Sequence, residues 1–387
     1  MPEPVIVDAV RTPIGRAFKG SLAALRPDET GAYVVDALLD RNPDVAPETI
    51  EEIVCGCGLP QGLQAFNIGR IIVLLSEKLP DSVNGVTVSR YCASSLEAIR
   101  QAANAVRAGE GDAYIAAGVE WVSRYNERQE AAGVADQNEN LQGNNGQPNA
   151  YIAMGLTAEN VADKWEVSRA DMDKYAQRSQ ELAVASQESG FFDREIVPVT
   201  LPDGTQVARD EGPRASSTLE KLAELKPAFR EDGKVTAGNS CPLNDGAAAV
   251  LVMSDSKASE LGLKPRARIV TAGTSGIEPE IMGVGPIGAV KKVLDRAGMT
   301  INDVDQVELN EAFAAQVIPI MDECDIPLEK LNPHGGAIAL GHPFGMTGAR
   351  IMTTLLNDLE SDDKTFGLET MCVAGGQGMA MIVERLR

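Results

Sequence analysis

The sequence predicts an α/β fold with sheets covered on both faces. Three observations carry that reading. Strand-like runs alternate with helix-patterned segments through residues 1–120. The second half of the chain repeats this plan. Between them, residues 121–244 form a stretch of different texture, polar at first and then rich in amphipathic helical pattern.

The elements follow in order. "EPVIVDAVRTPIGR" reads as a strand that turns at Pro13 and Gly15. "ETGAYVVDALLDRN" places Val34, Val35, Leu38 and Leu39 at helical spacing. "EEIVCGCGL" is a strand, "NIGRIIVLLSEKLP" a helix ended by Pro80, and "GVTVSRY" a strand. From Ser94 a helix follows, with Leu96, Ile99, Ala103 and Val106 on one face and Gly109 as its stop. "GDAYIAAGVEWVS" is again a buried strand. "NERQEAAGVADQNENLQGNNGQPNA" is loop-like, and "TAENVADKWEVSRADMDKYAQRSQELAVAS" carries long amphipathic helices, so 121–244 reads as an inserted domain or large lid. The α/β texture resumes at "NDGAAAVLVMSD". "QVELNEAFAAQVIPIMDE" is strand then helix, "GMTGARIMTTLLNDLE" a helix after a glycine-rich turn, and "FGLETMCVAGGQGMAMIVERL" two strands joined by a glycine turn. Both halves place a polar or reactive residue at a strand-to-helix junction: Cys92 in the first, Asn310 and His342 in the second. This pattern predicts a two-fold pseudo-repeat.

Composition narrows the function classes. At 387 residues, 44% hydrophobic and 24% charged, the chain has the makeup of a large soluble protein. It holds no apolar run of about 18 residues that would span a membrane. The N-terminus lacks the pattern of a signal peptide. A net charge of −21 argues against nucleic acid as a main partner, and an anionic ligand would need local cationic groups. Six dispersed cysteines read as reduced thiols of a cytoplasmic protein. Cys55-Gly-Cys57, with only two histidines in the chain, makes a poor zinc clip, so no metal is expected.

The candidates for chemistry are few. Cys92 lies at the start of its helix, where the partial positive charge would lower the thiol pKa; a buried filler cysteine is the competing reading. His342 sits in "GGAIALGHPFGMTGAR", among glycines that let a ligand approach closely. His334 in "NPHGG" reads as a loop residue. Cys372 precedes the glycines at 375, 376 and 378, whose turn exposes N–H groups able to cradle an oxyanion. Asn310 could hold a water or donate to an oxyanion, or cap the helix that follows.

Taken together, "DAVRTPIGRAFKGSLA", "YCASSLEAI", "MGLTAENVA", "VTAGNSCPLNDGAAAV", "ELNEAFAAQ", "NPHGGAIALGHPFGMTGAR" and "CVAGGQGMAM" resemble a thiolase over nearly the full length. The nearest flavour is the degradative 3-ketoacyl-CoA thiolase (acetyl-CoA acyltransferase), in particular the actinobacterial thiolases of steroid side-chain CoA esters. The resemblance implies two βαβαβαββ halves in a five-layered αβαβα core. The domains would be 1–120 plus 245–264, a loop domain at 121–244 for CoA and the acyl chain, and 265–387. It implies a homodimer or homotetramer and CoA as co-substrate, with no bound cofactor. Thiolysis of 3-ketoacyl-CoA to acetyl-CoA and a shortened acyl-CoA would serve fatty-acid or steroid side-chain β-oxidation.

The resemblance also implies roles. Cys92 would be the acylated nucleophile, His342 its activator, Cys372 the acid/base, and Asn310 the holder of an oxyanion-hole water. The backbone amides of Cys92 and Ala374 would form a second oxyanion hole. Met154, Arg214, Phe229, Ala237, Cys241, Ala312 and Phe313 would contact CoA. Four positions depart from the common pattern. Ala153 replaces a histidine of the short-chain biosynthetic enzymes and favours a longer or branched acyl chain. Ser95 and Ala374 stand where glycines are common, and Cys241 where a CoA-contacting serine is common. The alternatives are a biosynthetic acetoacetyl-CoA thiolase, a related condensing enzyme, and a non-catalytic acyl-CoA- or lipid-binding relative. Cys372 in its glycine turn counts against the condensing enzyme, and the presence of Cys92, His342 and Cys372 counts against the non-catalytic relative.

Overall fold

The structure is a computed structural model that describes residues 2–124 and 137–387. Among the described residues, nine main strands form one continuous sheet. They are β1 (Pro4–Arg11), β3 (Glu52–Cys57), β4 (Asn84–Val88), β5 (Ala113–Trp121), β8 (Asn244–Ser254), β9 (Ala267–Gly276), β10 (Gln306–Leu309), β11 (Phe366–Val373) and β12 (Gln377–Arg385). Short β2 (Gly15–Arg16) pairs with β8, and β6 (Val199–Thr200) with β7 (Gln206–Val207). The order is β10-β11-β12-β9-β1-β8-β5-β3-β4.

That order contains the repeat. In the first half β3 runs parallel to β4 and β5, and the path then goes antiparallel through β8 to β1. In the second, β10 runs parallel to β11, and the path goes antiparallel through β12 to β9. The halves meet where β1 pairs with β9.

The two faces of each strand explain the layering. On β8, Ala248, Val250 and Val252 face a central core, while Ala247, Ala249, Leu251 and Met253 face a second core outside it. On β12, Met379, Met381 and Val383 join the same central core, while Ala380 and Ile382 face a third. Helices Ser94–Ala108 and Thr347–Ser361 supply Leu96, Ile99, Met352 and Leu355 to the central core, and so lie between the two half-sheets. Strand period two thus sorts side chains into helix–sheet–helix–sheet–helix, the five layers expected. No described helix is long and apolar enough to cross a membrane.

Between β5 and β8 the chain builds helices Met154–Lys164 and Arg169–Glu188, separated at Trp165–Ser168, where Glu166 takes φ 55° and Ser168 caps the second helix. The loop reading over residues 125–136 lies outside the described residues. The inserted segment is tied to β1 by Arg11, fully buried, which bonds Glu195 Oε1 at 2.7 Å and Asp210 at 2.7 and 2.9 Å. Helix Ile68–Leu75 stops earlier than Pro80. Ser76 accepts from the Lys78 and Leu79 N–H groups and bonds Asp36, a local turn that outcompetes another helical turn.

Candidate active site

Cys92 lies on a one-turn helix, Tyr91–Ala93, that leads into Ser94–Ala108. Tyr91 takes φ 45°, a conformation costly for a side chain that the surrounding packing must hold in place. The Cys92 thiol is buried, and burial drives its pKa well above the ordinary value, with Cys372, Cys241 and Glu120 pushing the same way. The helix-start argument for a lowered pKa is therefore overturned. Desolvation outweighs the helix end, so the resting thiol needs a base to lose its proton. One neighbour opposes the trend: the Ala374 backbone amide, near the Cys92 sulfur, lowers its pKa.

Ala374 opens the turn between β11 and β12, where Val373 pairs with Gln377. Gly375 and Gly376 take φ 77° and 82°, a left-handed pair that only glycine adopts at little cost. This turn aims the Ala374 amide at Cys92. Arg90 donates to Gln377 Oε1 at 2.9 Å, and Gln377 Nε2 to the Ala374 carbonyl at 3.2 Å, tying the Cys92 segment to the turn. Two residues before Ala374, Cys372 is fully buried, and burial pushes its thiol up to about 11. Gln316 Nε2 donates to its sulfur at 3.0 Å.

His342 is buried, and desolvation lowers its pKa to about 3, so it is a neutral imidazole at any working pH. Its tautomer follows from the donors around it. Thr347 Oγ1 gives its one proton to the Pro343 carbonyl at 2.8 Å, so it accepts from His342 Nδ1–H at 2.6 Å. The other nitrogen, Nε2, is left as an acceptor, and Asn310 Nδ2 donates to it at 3.2 Å. Asn310 is thus not a helix cap. Its helix begins at Ala314, behind Phe313. Its Oδ1 is buried without a partner among the described residues, a lone pair suited to a water or substrate group.

Three segments are bound into one frame by Glu120 at the end of β5. Its carboxylate accepts from Gly58 N at 2.7 Å, from Gly345 N at 2.8 Å, from Leu59 N and from Gln64 Nε2. Ser95 resolves one departure: its Oγ accepts the Ala349 N–H at 2.9 Å, satisfying a first-turn amide of the helix that follows His342. Thr347, Gln316 and Glu120 were not singled out from the sequence. The last two carry a signal there, since each is a polar residue inside an otherwise apolar element.

The expected CoA contacts fall into two groups. Arg214 and Ala237 line a groove of about 260 Å³ together with Ser216, Ser217 and Lys221. Burial and the nearby charge of Arg16 both lower the Arg214 pKa, and no described carboxylate pairs with it. An anion would relieve both effects. The second group is Met154, Phe229, Cys241, Ala312 and Phe313. The Phe229 and Phe313 rings meet edge-on at 6.0 Å, and Cys241 N donates to the Ala312 carbonyl at 3.0 Å. The Phe229 ring covers Gly155, next to Met154. Cys241 is near enough to influence both Cys92 and Cys372. A larger groove, about 820 Å³, lies along the acidic side of helix Pro27–Arg41 and touches none of these residues. His334 is a structural residue stacked on Phe191 at 3.5 Å, and no described group of side chains is arranged to hold a metal.

Residues 4–256 match the family description "Thiolase, N-terminal domain" and residues 263–385 "Thiolase, C-terminal domain". A "Beta-ketoadipyl-CoA thiolase" of Acinetobacter baylyi is 44% identical, with 98% of this chain and 99% of that protein covered. A "3-ketoacyl-CoA thiolase" of Shewanella oneidensis is 44% identical, covering 100% of both. The dimeric peroxisomal thiolase of Saccharomyces cerevisiae superposes with a TM-score of 0.93 at 38% identity, covering 100% of this chain and 98% of that one. From β1 to β12 the chain belongs to the thiolase family and is an acyltransferase that uses CoA as a substrate.

Proposed function

We propose that the chain cleaves 3-ketoacyl-CoA esters with CoA, through an acyl-enzyme on Cys92. The observation that carries this reading is the end of β11, which holds the Cys372 thiol and leads into the turn that brings the Ala374 amide near the Cys92 sulfur. One strand end and the turn that follows it thus serve the bond made at Cys92 and the proton moved at Cys372.

In the first half-reaction His342 Nε2 takes the Cys92 proton and the sulfur attacks the 3-keto carbon. The oxyanion is held by the Cys92 and Ala374 amides. Collapse breaks the C2–C3 bond and leaves acetyl-CoA as its enolate. His342 and a water on Asn310 steady the enolate oxygen, and Cys372 gives C2 its proton. In the second half-reaction the CoA thiol returns a proton to Cys372 and attacks the Cys92 thioester. Cys92 leaves and regains its proton from His342. Splitting the transfer this way replaces one hard step by two easier ones. Arg214 and the groove beside Ala237 take the anionic part of CoA, and Met154, Phe229 and Phe313 its apolar arm.

On the substrate, Ala153 supports an acyl chain longer than acetoacetyl, as in fatty-acid or steroid side-chain esters. The printed name of the Acinetobacter relative favours a second reading, β-ketoadipyl-CoA. A dimer or tetramer in the cytoplasm completes the proposal, in keeping with the dimeric yeast relative. Mass spectrometry after mixing with a 3-ketoacyl-CoA tests the mechanism. An acyl adduct on Cys92, absent in Cys92→Ala, is expected, and thiolysis by Cys92→Ala would refute it. Thiolysis rates for acetoacetyl-, medium-chain, steroid side-chain and β-ketoadipyl-CoA esters decide the substrate; fastest turnover of acetoacetyl-CoA would overturn the longer-chain reading.

A further inference from the structure

Gln316 is a polar side chain in an apolar place. It lies on the first turn of helix Ala314–Glu323, is fully buried, and has Ala314, Ala315, Val317 and Ile320 of the same helix around it in the third core. A methionine would fill the same volume without desolvating an amide, which is costly when unbonded. The amide makes one side-chain hydrogen bond, from Nε2 to Cys372 Sγ at 3.0 Å. Its Oε1 has no partner among the described residues. Gly283 makes room for this arrangement, since a Cβ there would sit 3.0 Å from both Gln316 Cβ and Oε1.

We propose that Gln316 is a positioning residue that sets the proton affinity of Cys372 and aims its sulfur. The inference rests on the reading of Cys372 as the acid/base. When the C2–C3 bond breaks, its electrons pass to C2 and the Cys372 proton follows them. The sulfur is left as a thiolate in a buried site, where an unpartnered anion is costly. Among the described residues, the Gln316 N–H is the side-chain donor that faces this charge, beside the backbone amide of Cys372 itself. A lysine or histidine there would compete for the proton; a neutral amide stabilises the thiolate and has no proton chemistry of its own. The thiolate is neutralised when the CoA thiol returns a proton.

Gln316→Met keeps length and volume and removes the N–H. Gln316→Glu keeps the shape and places a carboxylate against the thiolate. Two reactions are followed. Release of CoA as an acyl-CoA acylates Cys92 reports Cys92 and His342. Exchange of the acetyl-CoA C2 protons with deuterated solvent, as a function of pH, reports Cys372. Gln316→Met should acylate normally while C2 exchange falls about tenfold near neutral pH and its midpoint rises by about one pH unit. Gln316→Glu should lose more. An unchanged exchange profile in Gln316→Met overturns the proposal. Acylation also checks folding; should Gln316→Met fail it, the isosteric Gln316→Glu carries the same pH comparison, and an unchanged midpoint there overturns the proposal equally. Cys372→Ala separates the two ideas. If it still exchanges C2 protons, the reading of Cys372 fails, whatever Gln316 does.

Discussion

Replacing Thr347 with valine tests how His342 is made a base. Valine has the shape of threonine, so packing is kept and only the hydroxyl is lost. In the native site Thr347 Oγ1 accepts from Nδ1–H at 2.6 Å and fixes Nε2 as the acceptor. Without it the imidazole has two choices. It can keep its tautomer and bury an unsatisfied N–H, at a cost of about 1–3 kcal/mol. Or it can move the proton to Nε2, which then faces the Asn310 Nδ2 donor 3.2 Å away and has no lone pair for the Cys92 proton. Because His342 is fully buried, water offers no third option. If the buried proton's cost appears as a loss of the competent form, Cys92 acylation slows by roughly 5- to 150-fold. The assay is stopped-flow release of CoA in a single turnover, with enzyme in excess over acyl-CoA. Thr347→Ser should recover most of the rate. Acylation by Thr347→Val at the wild-type rate would refute the tautomer argument.

Other outcomes follow from the same contacts. Arg214→Ala should raise the KM for CoA about tenfold or more with little change in kcat, and the effect should shrink as salt rises; an unchanged KM would remove the Arg214 groove from the CoA site. Burial holds His342 at about 3, below the ordinary 6.5, so the folded state binds fewer protons than the unfolded chain between those values. Its contribution is present above the unfolded value and lost as pH falls, by about 2 kcal/mol between about pH 7 and about pH 5. Urea denaturation at both pH values should show this difference reduced in His342→Asn, and equal slopes for the two proteins would contradict it. Arg11→Met leaves Glu195 and Asp210 buried without their cation, and should cost about 3–5 kcal/mol by urea denaturation; an unchanged midpoint would show that the tie between β1 and the inserted segment carries no stability.

Much of the fold was legible because strand and helix periods are local properties. Val34, Val35, Leu38 and Leu39 have helical spacing, and all four lie buried in one outer core. Gly109 ends its helix at φ 74°, as a glycine stop should. Helix Ile68–Leu75 was misjudged at its end because the turn that stops it depends on Asp36, 40 residues away from Ser76 in sequence. The same limit governs the site. Cys92 and Asn310 could be named as candidates from their strand-to-helix junctions, and His342 and Cys372 from their glycine-rich settings. The ionisation of Cys92 could not, since its helix start is visible in sequence while its burial is a property of five stacked layers.

The sequence by itself determined the alternation of strands and helices, the doubled plan, the resemblance to thiolases, and which cysteines and histidine stand at chain turns. Tertiary structure alone decided which of these groups meet and in what state: the Ala374 amide on Cys92, the Gln316 amide on Cys372, and the neutral His342 with Nε2 as acceptor. The reason is physical. Period and turn chemistry are written over a few neighbouring residues, whereas desolvation and hydrogen-bond direction depend on atoms brought together from β5, β11 and the His342 loop, which are far apart along the chain.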